Sequence, residues 1–267
     1  MAAAPRAYTH GHHESVLRSH RWRTVENSAA YLLPHLEPGM SLLDVGSGPG
    51  TITAGLAARV APGRVTALEL TDAALQLSRA ELAGVANVDF MVGDVHGLDF
   101  ADDSYDVVHA HQVLQHLADP VAALRQMRRV CRPGGIVAVR DSDYAAQTWF
   151  PRVPELEEWL ALYRSVARAN GAEPDAGRRL LTWARAAGFR RVTAGASTWC
   201  FAAPDGSRWW GEMWADRILQ SDVARQLLDS GTASEDDLRR ISAGWRQWAA
   251  APNAWLTILH GELICHA

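Results

Sequence analysis

The sequence predicts an α/β fold built on a mostly parallel sheet. An apolar run, Met40 to Val45, passes at once into Gly46-Ser47-Gly48-Pro49-Gly50 and then into a helix-forming stretch. Four more short apolar runs alternate with helical stretches as far as residue 141. Right-handed strand–helix–strand crossovers then cover both faces of one sheet with helices.

Each element has its own signal. Met40–Val45 (MSLLDV) reads as a buried strand, and Thr51–Val60 as the helix after the glycine turn. Arg64–Leu70 is a second strand ending in Glu69; Thr71 or Asp72 caps a helix running to about Ala83. Asn87–Met91 is a third strand, closing on Gly93-Asp94. Tyr105–Ala110 is a fourth, followed by a helix with Pro120 at its first position. That helix carries Leu124, Met127 and Val130 at helical spacing. Arg132-Pro133-Gly134-Gly135 reads as a turn, and Ile136–Arg140 as the fifth strand. Beyond it, Pro154–Asn170 and Ala176–Ala187 look helical, and Arg190–Phe201 looks extended. A Trp-rich helical stretch, 204–251, precedes a last strand at Trp255–His266. The organisation expected is a single domain over 1–267: N-terminal lid helices in 1–36, a cofactor-binding core in 37–145, and a helical substrate cap in 204–251.

Composition narrows the function classes. Of the 267 residues 48% are hydrophobic and 21% charged, enough apolar chain for a full core. The net charge of -4 argues against nonspecific nucleic-acid binding, which depends on neutralising phosphates. All 26 basic residues are Arg. Cys131, Cys200 and Cys265 are sparse and unpatterned, as in a reduced, cytoplasmic protein. The N-terminus lacks an apolar signal region, and no run reaches the roughly 18 apolar residues of a membrane span. A soluble monomer or homodimer acting on a small molecule is expected.

Three acids at the ends of three successive strands set the cofactor question. Asp44, Glu69 and Asp94 would share the crevice where open α/β sheets bind ligands. Glu69 could take both hydroxyls of a ribose, and Asp94 could reach an adenine amino group. A dinucleotide fingerprint needs a third glycine, but position 51 is Thr. A carboxylate at Asp44 would also repel a pyrophosphate. The cationic, phosphate-free S-adenosylmethionine suits Asp44 instead; a dinucleotide, or a relic without cofactor, stays as the alternative.

The stretch Leu42-Leu43-Asp44-Val45-Gly46-Ser47-Gly48-Pro49-Gly50 resembles motif I of class I S-adenosylmethionine-dependent methyltransferases. The likeness continues through Gly93-Asp94-Val95, Ser104–Val108, His111–Leu117 and Leu124–Gly135. Together these resemble the ubiquinone/menaquinone-biosynthesis type and cover roughly residues 25 to 145. The resemblance implies a Rossmann-like seven-stranded sheet of order 3-2-1-4-5-7-6 with strand seven antiparallel. It implies that Gly46 and Gly48 approach the methionine moiety, Glu69 the ribose, and Asp94 and Val95 the adenine, with His111 and Gln112 beside the cofactor; Ser47, Gly50 and Leu70 are further cofactor-binding candidates. Glu69 departs from the commoner Asp.

The methyl acceptor is chosen outside these motifs. Methyl transfer chiefly requires a nucleophile held close and aligned, sometimes with a base to remove its proton. Tyr8, His111 and His116 are the candidate catalytic residues, since His titrates near working pH. His116 could equally serve the helix that follows. His12, Trp22, Asp141, Trp210 and Trp214 are candidates for substrate contact. Asp141 and Asp143 could act as base or simply cap the next element. His10, His12, His13 and His20 crowd the N-terminus, but no Cys or Asp completes a cage, so no metal is expected. Of eleven tryptophans, those at 209, 210, 214, 245 and 248 fall at helical spacing. Core packing explains that pattern, as do aromatic walls around a flat acceptor such as an indole or phenol. A methyltransferase acting on protein or RNA, or a non-catalytic protein keeping the fold, are the competing functions.

Overall fold

The computed structural model describes residues 14–267. Two compact units are present: one comprises residues 14–19, Asp143–Asp175 and Thr198–Leu259, the other His20–Ser142, Ala176–Ser197 and His260–Ala267. In chain order, α1 (Glu14–Arg21) and α2 (Val25–Ser28) precede β1 (Leu42–Val45) and α3 (Thr51–Val60). Then come β2 (Val65–Glu69), α4 (Asp72–Glu81), β3 (Val88–Val92), β4 (Tyr105–His111), α5 (Pro120–Val130) and β5 (Cys131–Ser142). The rest is β6 (Thr148–Phe150), α6 (Pro154–Ala169), α7 (Leu180–Ala186), β7 (Arg191–Ala202), α8 (Ala203–Gln220), α9 (Asp222–Asp229), α10 (Glu235–Ala250) and β8 (Trp255–His266).

In the sheet unit β3, β2, β1, β4 and β5 run parallel in that order, and the second half of β8 closes the sheet antiparallel to β5. Side chains alternate between faces, as strands require. Leu43, Val45, Val108, Ala110, Val137, Val139, Leu263 and Cys265 pack under α5 and α7; Leu42, Val65, Ala67, Val107, Ala138 and Ile264 pack under α2 and α3. Helix starts follow their sequence signals. Thr71 accepts from Ala74 at the start of α4, and Asp119 accepts from Ala122 ahead of Pro120 in α5.

The expected strand order holds, with eight strands instead of seven. β8 is twelve residues long; Gly261 through His266 face β5, while Trp255–Thr257 pair with the added short strand β6. A second difference lies at Arg132-Pro133-Gly134-Gly135, which is extended and belongs to β5. A register shift between Tyr105 and Val107 on β4 takes up its extra residues. Ala176–Arg179 forms a 3-10 turn ahead of α7, not one continuous helix.

The helical unit is built from α6, α8, α9 and α10. Its centre is aromatic: Trp159 lies edge-on to Trp214 and Trp245, with centroids 4.5 and 4.8 Å away, and Trp214 stacks on Trp245. Among the described residues no helix is long and apolar enough to cross a membrane.

Candidate functional site

The glycine loop between β1 and α3 owes its shape to three left-handed residues. Gly46, Gly48 and Gly50 have φ of 70, 57 and 93°, which favour glycine. A side chain at Gly46 would strike Val113 at 2.5 Å, whereas one at Gly48 would meet nothing within 4 Å among the described residues. The loop therefore packs tightly at Gly46 and is open at Gly48.

Two networks fix it. From below, the buried carboxylate of Asp44 accepts from Thr53 of α3 at 2.6 Å and pairs with His109 of β4 at 2.8 Å. Both oxygens are thus engaged inside the protein, joining β1, α3 and β4. From the side, Ser47 hydrogen-bonds the Ser78 hydroxyl of α4 at 3.0 Å, and Ser78 donates to the Gly48 carbonyl at 2.5 Å. Thr53, His109 and Ser78 were not among the sequence candidates. Each carries a faint signal, a polar residue inside an apolar face or run: Ser78 between Leu75 and Leu82, Thr53 before Leu56 and Val60, His109 within YDVVHAH.

Glu69, at the end of β2, accepts the Gly48 amide at 2.6 Å. Leu70 beside it is 65% exposed, unusual for a leucine at the edge of a packed sheet. At the end of β3, Asp94 accepts from the amide of His96 at 2.9 Å and lies 2.8 Å from its ring. Burial alone would raise the Asp94 pKa, but these contacts outweigh it and hold the carboxyl below its ordinary value. Val95 is buried next to it.

At the end of β4 the backbone of Gln112 is left-handed, φ 53°, a conformation that costs a non-glycine residue energy and clusters at functional sites. Its amide N–H donates to the Arg140 carbonyl, and its side chain lies 2.8 Å from His260 Nε2. His111, buried and paired with Arg140 across β4–β5, stacks on His260 at 6.2 Å. Burial, then the charges of Arg140 and Arg23, push the His111 pKa well below its ordinary value. His116 is pushed to about 4, by burial and then by Arg23. Both imidazoles are neutral near pH 7.

Asp141, fully buried on β5, accepts the Gln115 amide at 3.1 Å. Ser142 donates to the Gln115 side chain at 2.6 Å, and that side chain lies 3.0 Å from His116. Asp44, Gly46, Ser47, Gly48, Gly50, Glu69, Leu70, Asp94, Val95, His111, Gln112, His116, Trp22 and Asp141 all belong to the sheet unit. Trp210 and Trp214 do not. They are buried in the aromatic core of the helical unit, Trp210 stacked on Phe201 at 4.2 Å. Tyr8 and His12 lie outside the described residues.

A family described as a methyltransferase domain matches residues 36–200, more than half of the chain. An uncharacterized methyltransferase of Schizosaccharomyces pombe is 35% identical over 96% of this chain and 95% of its own length. The demethylmenaquinone methyltransferase of Staphylococcus aureus is 33% identical over 47% of this chain and 50% of its own. Among solved structures, the YcgJ protein of Bacillus subtilis shares the fold with a TM-score of 0.57 at 18% identity, covering 90% of this chain and 98% of that one. With its glycine loop, strand-end carboxylates and parallel sheet, the chain belongs to the class I S-adenosylmethionine-dependent methyltransferases.

Proposed function

We propose that the protein transfers the methyl group of S-adenosylmethionine to a small molecule at the carboxyl edge of β1 to β5. The observation that carries this reading is Gly48. Its backbone is left-handed, its amide meets the strand-end carboxylate of Glu69, and among the described residues no atom lies within 4 Å of where a side chain would begin. That open, polar-edged bend suits close approach of a ligand to the backbone.

Residues on this edge fit the donor group by group. Gly46, Ser47, Gly48 and Gly50 would border its amino-acid portion. Glu69 would take the ribose hydroxyls with Leu70 alongside, and Asp94 with Val95 would meet the adenine. His111 and Gln112 would flank the reacting end. Asp44 would act through the loop it holds, adding negative charge beneath a cationic ligand. When bound, the donor supplies a methyl carbon already activated by its sulfonium. The chain's own residues therefore have to align the acceptor and handle its proton.

Trp22, His116 and Asp141 are the acceptor-side candidates in the same unit as this edge. Trp210 and Trp214 lie buried in the aromatic core of the helical unit and form no part of this reading. The net charge of -4 and the absence of lysine favour a small molecule over RNA. Isothermal titration with S-adenosylmethionine and S-adenosylhomocysteine tests the reading. Micromolar binding of both is expected, weakened tenfold or more in Glu69→Ala. Failure of the intact protein to bind either would contradict it and favour a non-catalytic role.

A further inference from the structure

The carboxyl edge of β5 holds a buried acid with one oxygen unaccounted for. Asp141 Oδ1 accepts the Gln115 amide, while the buried Oδ2 has no hydrogen-bond partner among the described residues. The residue lies one position past the last β4–β5 pair, His111 with Arg140, where the two strands part. That edge is where open α/β sheets bind ligands. Alternation along β5 turns Asp141 away from the face of Arg140, and Arg140 is itself engaged by Glu262 and Ser197. A buried carboxyl oxygen without a hydrogen-bond partner is costly whether ionised or protonated, and such a group calls for a partner from outside the protein.

We infer that Asp141 Oδ2 receives the proton of the methyl acceptor, and that the acceptor is a neutral O–H or N–H acid, not a thioether or tertiary amine. This rests on the S-adenosylmethionine reading above. The acceptor's oxygen or nitrogen forms a bond to the methyl carbon while the carbon–sulfur bond breaks, leaving its electron pair on sulfur. The acceptor's proton passes to Oδ2. One positive and one negative charge vanish together, so a poorly solvated site ends neutral. A thioether or tertiary amine has no proton to give and would leave a positive charge beside the ionised carboxylate.

The surrounding groups leave this task to Asp141. Tyr31, Arg140, Glu262 and Asp141 interact electrostatically; His111 of β4 interacts with Arg140, Arg23, His260 of β8 and its strand neighbour His109, and His116 follows in the turn after β4. His116, at about 4, is a weak base, and His111 is shifted the same way. Burial pushes Asp141 up to about 8, opposed by the nearby backbone amides of Gln115 and Leu114 and by the charge of Arg140. At neutral pH the ligand-free protein therefore holds the Asp141 proton. A cation bound nearby would displace it, since an opposite charge within about 4–6 Å lowers a carboxyl by about 1–3 units.

Calorimetric titration at pH 7 in two buffers of different ionisation enthalpy counts that proton. S-adenosylmethionine should release roughly half a proton or more. S-adenosylhomocysteine, which lacks the sulfonium charge, should release essentially none. In Asp141→Asn both ligands should bind without the difference, and retained S-adenosylhomocysteine binding shows that the variant is folded. Equal release for the two ligands in the parent protein, or a difference that survives in Asp141→Asn, overturns the inference. Absence of binding by the parent overturns the cofactor reading instead.

Discussion

In the sheet unit, side chains with hydrogen-bonding capacity collect in and around the ends of the strands: Asp44 with Thr53 and His109, Glu69 against Gly48, Asp141 with Gln115. In the helical unit the largest buried side chains are rings, Trp159, Trp214, Trp245, Trp248 and Tyr163, packed on one another. The first unit gathers buried polar pairs and the left-handed Gln112 at its strand ends; the second also buries polar side chains, Asp175 and Arg217 among them, but centres on rings packed against rings. Backbone strain and buried polar groups cluster at functional sites in proteins generally, whereas aromatic pairs add to packing.

Substitutions can break this contrast. The largest effect is expected in the helical core: Trp245→Ala should destabilise it by about 3–5 kcal/mol in chemical denaturation. Trp245→Phe, which keeps much of the ring area, should cost less. A loss under 1 kcal/mol for the alanine variant would mean that the indole is not packed. Next in size, Glu69→Ala should weaken S-adenosylmethionine binding by about 1.5–3 kcal/mol with little change in melting temperature. A protein that melts early with affinity intact would reverse the assignment.

The pH dependence of stability comes third. His116 has a folded pKa near 4, below its ordinary 6.5, so the folded state takes up its proton later than the unfolded chain. Its contribution is present above pH 6.5 and is lost as pH falls toward 4. Urea denaturation across this window should show a shallower slope in His116→Gln, and an unchanged slope would refute the shift. The smallest effect is expected for Gln112→Gly. Relief of the left-handed strain offsets the lost contact with His260, leaving stability within about 1 kcal/mol of the parent. Cofactor affinity should still fall several-fold.

The sheet was legible because its signals are local. An apolar run, a glycine turn and a capped helix occur in order, and β8 extends over Trp255–His266, the stretch expected as the last strand. The strand-end acids were legible for the same reason. Ser78, Thr53 and His109 were not, because each reads as a stray polar residue until the fold brings its partner close. β6 was missed because three residues between turns give no periodicity to read. The tryptophans show the limit from the other side. Helical spacing fits a core and a pocket wall alike, and the structure shows Trp210 and Trp214 buried among other rings.

Amide hydrogen exchange with and without S-adenosylmethionine tests the central claim most directly. Protection should rise in peptides covering 44–51, 68–71, 93–97 and 111–116, with the backbone of Gly48 among the most affected. Protection confined to α8 and α10, or no ligand-induced protection at saturating donor, would contradict the placement of the site at the strand ends of the sheet unit.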